Sequence, residues 1–138
     1  MHDGLTSWIA QLLGDPAMLQ MGHAQRAEDL NLGLGWLYYG LARLLRPQRI
    51  VVIGSYRGFA PMLFARALAD NGEGGRVTLI EPSLVDDFWT DSNRVAAHFS
   101  EIGLANIDHV AMTTQQWVGS TDWQDLGPVG LAMIDGYH

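Results

Sequence analysis

Residues 50–61 read Ile50-Val51-Val52-Ile53-Gly54-Ser55-Tyr56-Arg57-Gly58-Phe59-Ala60-Pro61. The first four form a continuous apolar run rich in β-branched side chains, which is typical of a strand buried on both faces of a parallel sheet. Gly54 then allows the chain to turn sharply, and Gly58 allows the backbone to approach a ligand. The free N–H groups of the helix that begins next favour a carboxylate or phosphate. In doubly wound folds a cofactor binds at this kind of turn.

The spacing of the glycines limits which cofactor this turn can bind. A dinucleotide fingerprint starting at Gly54 needs two further glycines where the chain has Tyr56 and Phe59. A P-loop is excluded because its glycine, lysine and serine or threonine are missing. What remains is a G-x-x-x-G turn, with Glu81 at the end of the next apolar run, where a carboxylate can accept hydrogen bonds from both ribose hydroxyls. In the alternative interpretation the glycines only connect strand to helix, and Glu81 caps a strand beside Pro82.

The segments around this turn alternate between strand and helix patterns. Apolar runs predict further strands at 77–80, 107–112 and 129–134. Helical periodicity between them predicts helices at 60–70, 92–102 and 115–118. Successive β-α-β crossovers predict an α/β fold with a doubly wound parallel sheet and helices on both faces. Residues 49–138 are assigned to this domain.

Residues 1–48 are predicted to form a helical segment that packs on the domain. Apolar residues at helical spacing predict a helix at 6–13, and Asp15-Pro16 predicts a second, short helix with Asp15 as its N-cap. A longer helix is predicted by leucines that recur every three or four residues, at positions 30, 34, 37, 41 and 44. It should end at Arg46, before Pro47.

Composition excludes several classes of function. The chain has 8 basic and 15 acidic residues, and the basic residues, all arginines, are scattered, so nucleic acid is not an expected partner. The absence of lysine and cysteine excludes a Schiff-base lysine, a thiolate metal site and a cysteine nucleophile from this segment. No apolar run approaches the roughly 18 residues of a membrane span. We therefore expect no membrane partner. The absence of cysteine favours a reducing, cytoplasmic location.

Four segments carry motifs that belong together. They are Val51-Val52-Ile53-Gly54-Ser55-Tyr56-Arg57-Gly58, Ile80-Glu81-Pro82-Ser83, Asp86-Asp87-Phe88-Trp89 and Met133-Ile134-Asp135-Gly136-Tyr137-His138. They resemble successive motifs of the class I S-adenosylmethionine-dependent methyltransferases, and in particular the small-molecule branch whose fourth strand ends in an I-D-G-x-H pattern. The resemblance extends from about Arg49 to the last residue. It implies a Rossmann-like fold.

The resemblance also implies a site for S-adenosyl-L-methionine. It assigns Gly54, Ser55 and Gly58 to the methionine end of the cofactor and Glu81 to the ribose. The implied cofactor-binding residues are Gly54, Ser55, Tyr56, Arg57, Gly58, Glu81, Pro82, Met112 and Thr113.

Two positions depart from the family pattern. Met112 and Thr113 match the place where the family usually contacts adenine, often with Gly-Asp. The family also commonly has an acid where this chain has Val52.

Asp135 follows an apolar strand, at the edge of the sheet where ligands bind in open α/β folds. In related O-methyltransferases this aspartate faces the acceptor or ligates a divalent metal, so Asp135 is a catalytic candidate and a candidate ligand for Mg²⁺. The alternative is an Asp-Gly turn that closes the strand. His138 is the second catalytic candidate, as a general base or a substrate-orienting group. The other histidines, at positions 2, 23, 98 and 109, lack metal-ligand spacing and are assigned surface or packing roles.

These observations favour a methyltransferase that moves the sulfonium methyl group to an oxygen, or alternatively a nitrogen, of a small molecule. Such chemistry needs in-line positioning more than a dedicated acid or base. Two other functions stay open. One is a catalytically silent module that binds a nucleotide or adenosine. The other is an NAD-dependent oxidoreductase, which Tyr56 and Phe59 argue against.

The resemblance further implies that the sheet continues beyond residue 138, so that the chain is an incomplete domain and inactive alone. If the strands lie in the order 3-2-1-4, the fourth strand becomes an edge with unpaired backbone groups. We therefore expect self-association through this strand.

Overall fold

The computed structural model describes residues 4–20 and 22–135. Its helices are α1 (Gly4–Leu13), α2 (Gly35–Leu45), α3 (Phe59–Asn71), α4 (Ser92–Ser100) and α5 (Thr114–Gly119). Its strands are β1 (Arg49–Ile53), β2 (Arg76–Ile80), β3 (Ile107–Val110) and β4 (Leu131–Ile134). Short 3-10 turns lie at Pro16–Leu19, Phe88–Thr90 and Asp122–Asp125. No helix in the described ranges has the length and apolar character that crossing a bilayer requires.

The strands form a parallel sheet in the order β3-β2-β1-β4. β1 lies in the centre, where Ile50 is level with Val77 of β2 and Leu131 of β4. Strands and helices alternate along the chain from β1 onward. The structure therefore confirms the predicted Rossmann-like α/β fold with a parallel sheet and the predicted strand order.

The core lies between α3 and one face of the sheet. Side chains alternate between the faces of a strand, so Ile50 and Val52 share a face with Val77 and Leu79, and all four are fully buried. Nine of the 13 residues of α3 are buried, because the helix packs on the sheet and also on α2. That explains why its sequence is apolar on more than one side.

The N-terminal segment contributes to the same core. Four apolar side chains of α1 are buried in it: Trp8, Ile9, Leu12 and Leu13. The Trp8 indole N–H donates to the Ile102 carbonyl at 2.8 Å, after α4. The predicted short helix after α1 is present as a 3-10 turn, and the Asp15 carboxylate accepts from the Ala17 N–H at 3.0 Å as its N-cap.

The predicted start of the longer helix is wrong. The leucine spacing suggested a helix from about Leu30, but α2 begins at Gly35. Leu30 and Gly33 have φ values of 53° and 58°, which a right-handed helix does not allow. The buried residues of α2 are Gly35, Tyr38 and Ala42, whereas the leucines at 34, 37 and 44 are 46%, 53% and 79% exposed. Three of the five leucines therefore lie on the exposed side, and the leucine pattern did not mark the buried face of the helix.

β4 is an edge strand in the described part of the chain, with β1 as its neighbour. Ile134 is 77% exposed, and Val129, just before the strand, is 44% exposed. An apolar edge with unpaired N–H and C=O groups promotes strand-to-strand association.

We expect residues 1–138, studied alone, to self-associate through β4. Light scattering coupled to size-exclusion chromatography should show a mass that rises with protein concentration. Ile134→Lys should reduce the association, because a charge on an edge strand opposes pairing. Leu44→Lys is the matched control, since it removes an equally exposed apolar side chain on α2. A monodisperse monomer, or an equal effect of both substitutions, would contradict the prediction.

Candidate cofactor site

A cavity of about 560 Å³ opens at the edge of the sheet where the strands end. This size is within the usual range for small-molecule sites. Its wall is built from the segments that follow β1, β2, β3 and β4, together with part of the N-terminal segment. The predicted residues that line it are Gly54, Ser55, Tyr56, Arg57, Glu81, Pro82, Met112, Thr113 and Asp135. The structure thus brings together residues that are up to 81 positions apart, from Gly54 to Asp135.

The turn after β1 is held by hydrogen bonds to the neighbouring strand and to the next helix. The Gly54 N–H donates to the Ile80 carbonyl at 3.0 Å, which extends the β1–β2 pairing by one residue. The Ser55 hydroxyl oxygen accepts from the Gly58 N–H at 2.7 Å. Ser55 therefore closes the turn that leads into α3.

Glu81 connects the ends of β1 and β2. One carboxylate oxygen accepts from the Ser55 N–H at 2.7 Å, and the other accepts from the Ser83 N–H at 3.1 Å. The backbone of Glu81 is fixed as well, because its N–H donates to the Val110 carbonyl at 3.0 Å. Each carboxylate oxygen has a second lone pair that can accept from a ligand hydroxyl. Glu81 thus both braces the turn, as the capping interpretation proposed, and lines the cavity.

Gly58 is the one predicted glycine that the structure places away from the cavity wall. It caps α3 with φ 96°, and its backbone is buried. A Cβ atom at this position would lie 3.2 Å from the Phe99 ring and 3.6 Å from Trp89 and Met62. The role of Gly58 in cofactor binding stays a prediction. The structure gives a further reason for glycine here, because the backbone is left-handed and aromatic side chains pack behind the turn.

Arg57 lines the cavity with its charge already paired. Its guanidinium lies 2.6 Å from the Asp86 carboxylate and packs over the rings of Tyr56 and Phe88, at 4.4 Å and 4.3 Å from their centroids. Hydrogen bonding from Arg57 lowers the pKa of Asp86 below its usual value. This cluster shapes the wall beside the glycine turn.

The remaining predicted residues lie at the two ends of the cavity. Thr113 is the N-cap of α5, where its hydroxyl and the Gln116 side chain form a capping box. The Asp135 N–H donates to the Ile53 carbonyl at 2.7 Å, which places Asp135 directly after β4 and beside the glycine turn. Within the described residues no group of three potential ligands surrounds Asp135, so a magnesium site there lacks a donor set in this part of the chain. His138 lies outside the described residues, and its catalytic role stays a prediction.

His23 is a cavity residue that the sequence analysis missed. It was assigned a surface or packing role; it does pack on Phe59, with ring centroids 4.9 Å apart, but it also lines the cavity. Its Nδ1 is 3.0 Å from the Tyr38 hydroxyl. Burial lowers the pKa of His23, and the negative charge of Asp135 opposes that shift. Burial and the same aspartate raise the pKa of Tyr38. No motif or spacing in the sequence connects these three residues.

The sequence and the fold of the chain were compared with those of known proteins. The model of a family described as a methyltransferase domain matches residues 51–138. No curated protein matched the chain.

Solved structures share the fold. The O-methyltransferase TomG from Streptomyces achromogenes, involved in tomaymycin synthesis and in complex with SAM, is 25% identical and superposes with a TM-score of 0.61 over 99% of this chain. An O-methyltransferase from Bacillus cereus in complex with SAH is 17% identical, with a TM-score of 0.67 over 97% of this chain. The SAH-bound Podospora anserina methyltransferase PaMTH1 is 16% identical, with a TM-score of 0.59 over 99% of this chain. At their identities the last two show the fold alone.

The chain covers 55%, 56% and 51% of the lengths of these three proteins, about half of each. The family model, in contrast, covers well over half of this chain. It includes the glycine turn, Glu81 and Asp135, which line one cavity. The chain therefore belongs to the methyltransferase domain family.

Proposed function

We propose that the protein carrying this chain binds S-adenosylmethionine in the cavity and transfers its methyl group to an oxygen of a small molecule in the cytoplasm. The observation that carries the proposal is the brace between the Glu81 carboxylate and the Ser55 N–H, which joins the ends of two neighbouring strands at the cavity wall. The formal charge of −7, with scattered arginines, supports a small acceptor over a nucleic acid. Neither the silent binding module nor the NAD-dependent oxidoreductase is favoured by the family match.

The strand order suggests how the cofactor lies. Neighbouring strands are about 4.8 Å apart, so the ends of β3, β2, β1 and β4 form a row about 14 Å long. We propose that adenine lies at Met112 and Thr113 after β3, and that the ribose lies at Glu81 after β2. The methionine end then lies at Ser55 after β1, beside the N-terminus of α3, whose free N–H groups favour a carboxylate. This direction brings the sulfonium toward Asp135 after β4.

The chemistry follows from that placement. The acceptor oxygen attacks the methyl carbon in line with the carbon–sulfur bond, and the bonding electron pair stays on sulfur as the thioether product forms. Holding donor and acceptor in this geometry supplies a large part of the acceleration. Apolar residues in the wall, among them Phe59, Leu84 and Val85, help to exclude water from the reacting atoms. Asp135 faces the acceptor in this proposal.

Titration of the full reading frame that carries this chain with S-adenosylmethionine, S-adenosylhomocysteine and NAD tests the proposal. Binding of the first two without NAD, together with transfer of labelled methyl groups to hydroxylated small molecules, is the expected result. Binding of NAD alone would contradict the proposal. Binding of S-adenosylmethionine without transfer to any acceptor would favour the silent module.

We expect Glu81→Ala to weaken S-adenosylmethionine binding by about 1–3 kcal/mol, because the ribose hydroxyls lose a charged acceptor and the Ser55 N–H loses its partner. Isothermal titration calorimetry measures the change. The domain should still fold, since Glu81 is partly exposed at the end of a strand.

Two variants make the measurement specific. Glu73→Ala removes the same charge at an exposed salt bridge with Arg46 and should leave binding unchanged. Glu81→Gln keeps one acceptor oxygen and should fall between wild type and Glu81→Ala. An unchanged dissociation constant in Glu81→Ala would remove the ribose role.

A further inference from the structure

The position of His23 is set by the backbone around it. Its carbonyl accepts from the Leu34 N–H at 2.7 Å, which closes the segment 23–34 into a loop. An antiparallel bridge between Arg26 and Asn31 lies inside this loop. The His23 side chain is 8% exposed. His23 is thus buried and fixed by a backbone hydrogen bond, although it lies outside the helices and strands.

The imidazole ring is oriented by Tyr38. The Tyr38 hydroxyl lies 3.0 Å from Nδ1, and the Tyr38 ring is itself buried and packs on Phe64, with centroids 5.5 Å apart. In the described residues Nε2 has no hydrogen-bond partner. When Nδ1 carries the proton and donates it to the tyrosine oxygen, Nε2 has a free lone pair. This arrangement of an imidazole with its other nitrogen fixed is the one that a general base requires.

The groups around the ring indicate what kind of acceptor it can serve. His23 lines the same cavity as Ile134, the last residue of β4, and Asp135, whose negative charge acts on the His23 ring. The cavity also carries the Glu81 carboxylate, and the charge of Arg57 in its wall is paired with Asp86. The charges that remain therefore disfavour an anionic acceptor. Its wall is largely apolar at Phe59 and Ile134. An uncharged aromatic hydroxyl compound fits these properties.

We propose that His23 is the general base of the reaction, taking the proton of an uncharged phenolic acceptor at Nε2 while Tyr38 orients the ring at Nδ1. The inference rests on the proposed function and deepens it, because it names the acceptor class and a catalytic residue outside the family motifs. As the phenolic oxygen bonds to the methyl carbon, the carbon–sulfur bond breaks and its electrons neutralise the sulfonium. The phenolic proton moves to Nε2, and the resulting imidazolium later releases it to solvent.

The pH dependence follows from the groups that face the ring. The described titratable groups around His23 are Tyr38 on α2 and Asp135 after β4. Burial lowers the pKa of His23 and Asp135 only partly opposes this, so the imidazole is neutral at pH 7. The rate with a phenolic acceptor should therefore be constant near neutrality and fall only below the lowered pKa, as the base becomes protonated.

His23→Gln in the full reading frame, assayed with a series of substituted phenols, tests the proposal. With weakly acidic phenols kcat should fall about 100-fold, the usual contribution of a general base. With nitrophenols that are already ionised at the assay pH, kcat should change less than about threefold, because no proton has to be removed. The dissociation constant of S-adenosylhomocysteine should stay within about twofold, far below the tenfold change that corresponds to about 1.4 kcal/mol, because His23 does not hold the cofactor in this proposal. Leu44→Gln, an exposed change on α2, is the control.

Different outcomes would contradict the role of His23 and the proposed methyl transfer. Equal losses across the phenol series, or no loss, would overturn the role of His23. A wild-type protein that binds no S-adenosylmethionine, or methylates no hydroxyl compound, would overturn the proposed function instead. If His23→Gln does not fold, Tyr38→Phe tests the same role, because it removes the hydroxyl group that orients the His23 ring. It should lower kcat about tenfold for weakly acidic phenols and little for ionised ones. A uniform loss in that variant would contradict the proposal.

Discussion

Gly58→Val is expected to lower the free energy of unfolding by about 2–5 kcal/mol and to abolish cofactor binding. A non-glycine residue in the left-handed region costs about 1–2 kcal/mol, and Gly58 has φ 96°. The new side chain must also enter space occupied by Phe99, 3.2 Å from the position of its Cβ atom, and overpacking of this kind costs about 1–3 kcal/mol. A loss of this size is a large part of the stability of a small domain.

Urea denaturation measures the effect, with the midpoint shifted and the slope unchanged if the transition stays two-state. Gly72→Val is the matched control, because Gly72 has φ 69° and nothing within 4 Å of the position of its Cβ atom. The difference between the two variants isolates the contact with Phe99. Equal destabilisation would show that the aromatic side chains behind the turn make no difference.

Tyr56→Ala should have a much smaller effect than Gly58→Val. The Tyr56 ring lines the cavity and lies under the Arg57 guanidinium, but its backbone conformation does not require glycine. Binding of S-adenosylmethionine should weaken without a large loss of stability. Calorimetry beside a thermal melt distinguishes the two effects.

Local patterns were sufficient to predict the sheet and most of the cavity wall. β1 is a short apolar run followed by glycine, and parallel strands place their carboxyl ends at one edge, so Glu81 and Asp135 converge without any knowledge of side-chain contacts. Local patterns did not predict which groups pack next to Gly58. Whether a glycine faces a ligand or an aromatic cluster depends on φ and on residues of α4 that are about 40 positions later.

The N-terminal segment was predicted less well for a related reason. Its leucines have helical spacing, but Leu30 and Gly33 adopt left-handed backbone conformations that interrupt the helix. Helix propensity alone does not predict such conformations. His23 reaches the cavity through a loop closed by one backbone hydrogen bond and through a contact with Tyr38, 15 residues away. Such contacts have no signature in local composition.

Gly33→Ala should displace His23 while leaving the cofactor-binding residues Ser55 and Glu81 in place. A Cβ atom at Gly33 would collide with the carbonyl oxygen of His23 and with the carbonyl group of Ala24, and both belong to the backbone. Neither group can move aside as a side chain can, so the loop must shift and the bond from the Leu34 N–H must break. With φ 58° at Gly33, the backbone cost, the lost hydrogen bond and the steric conflict together amount to about 3–5 kcal/mol.

Gly22→Ala is the control for this prediction, because Gly22 directly precedes His23 and has φ 67° and nothing within 4 Å of its Cβ position. It should cost only the backbone term of about 1–2 kcal/mol. Hydrogen exchange at the Leu34 amide should accelerate strongly in Gly33→Ala and little in Gly22→Ala. Methyl transfer to weakly acidic phenols should fall in Gly33→Ala, whereas S-adenosylhomocysteine should still bind, since Ser55 and Glu81 belong to other segments. Retained exchange protection at Leu34 would mean that the loop tolerates a Cβ atom, and that its closure does not set the position of His23.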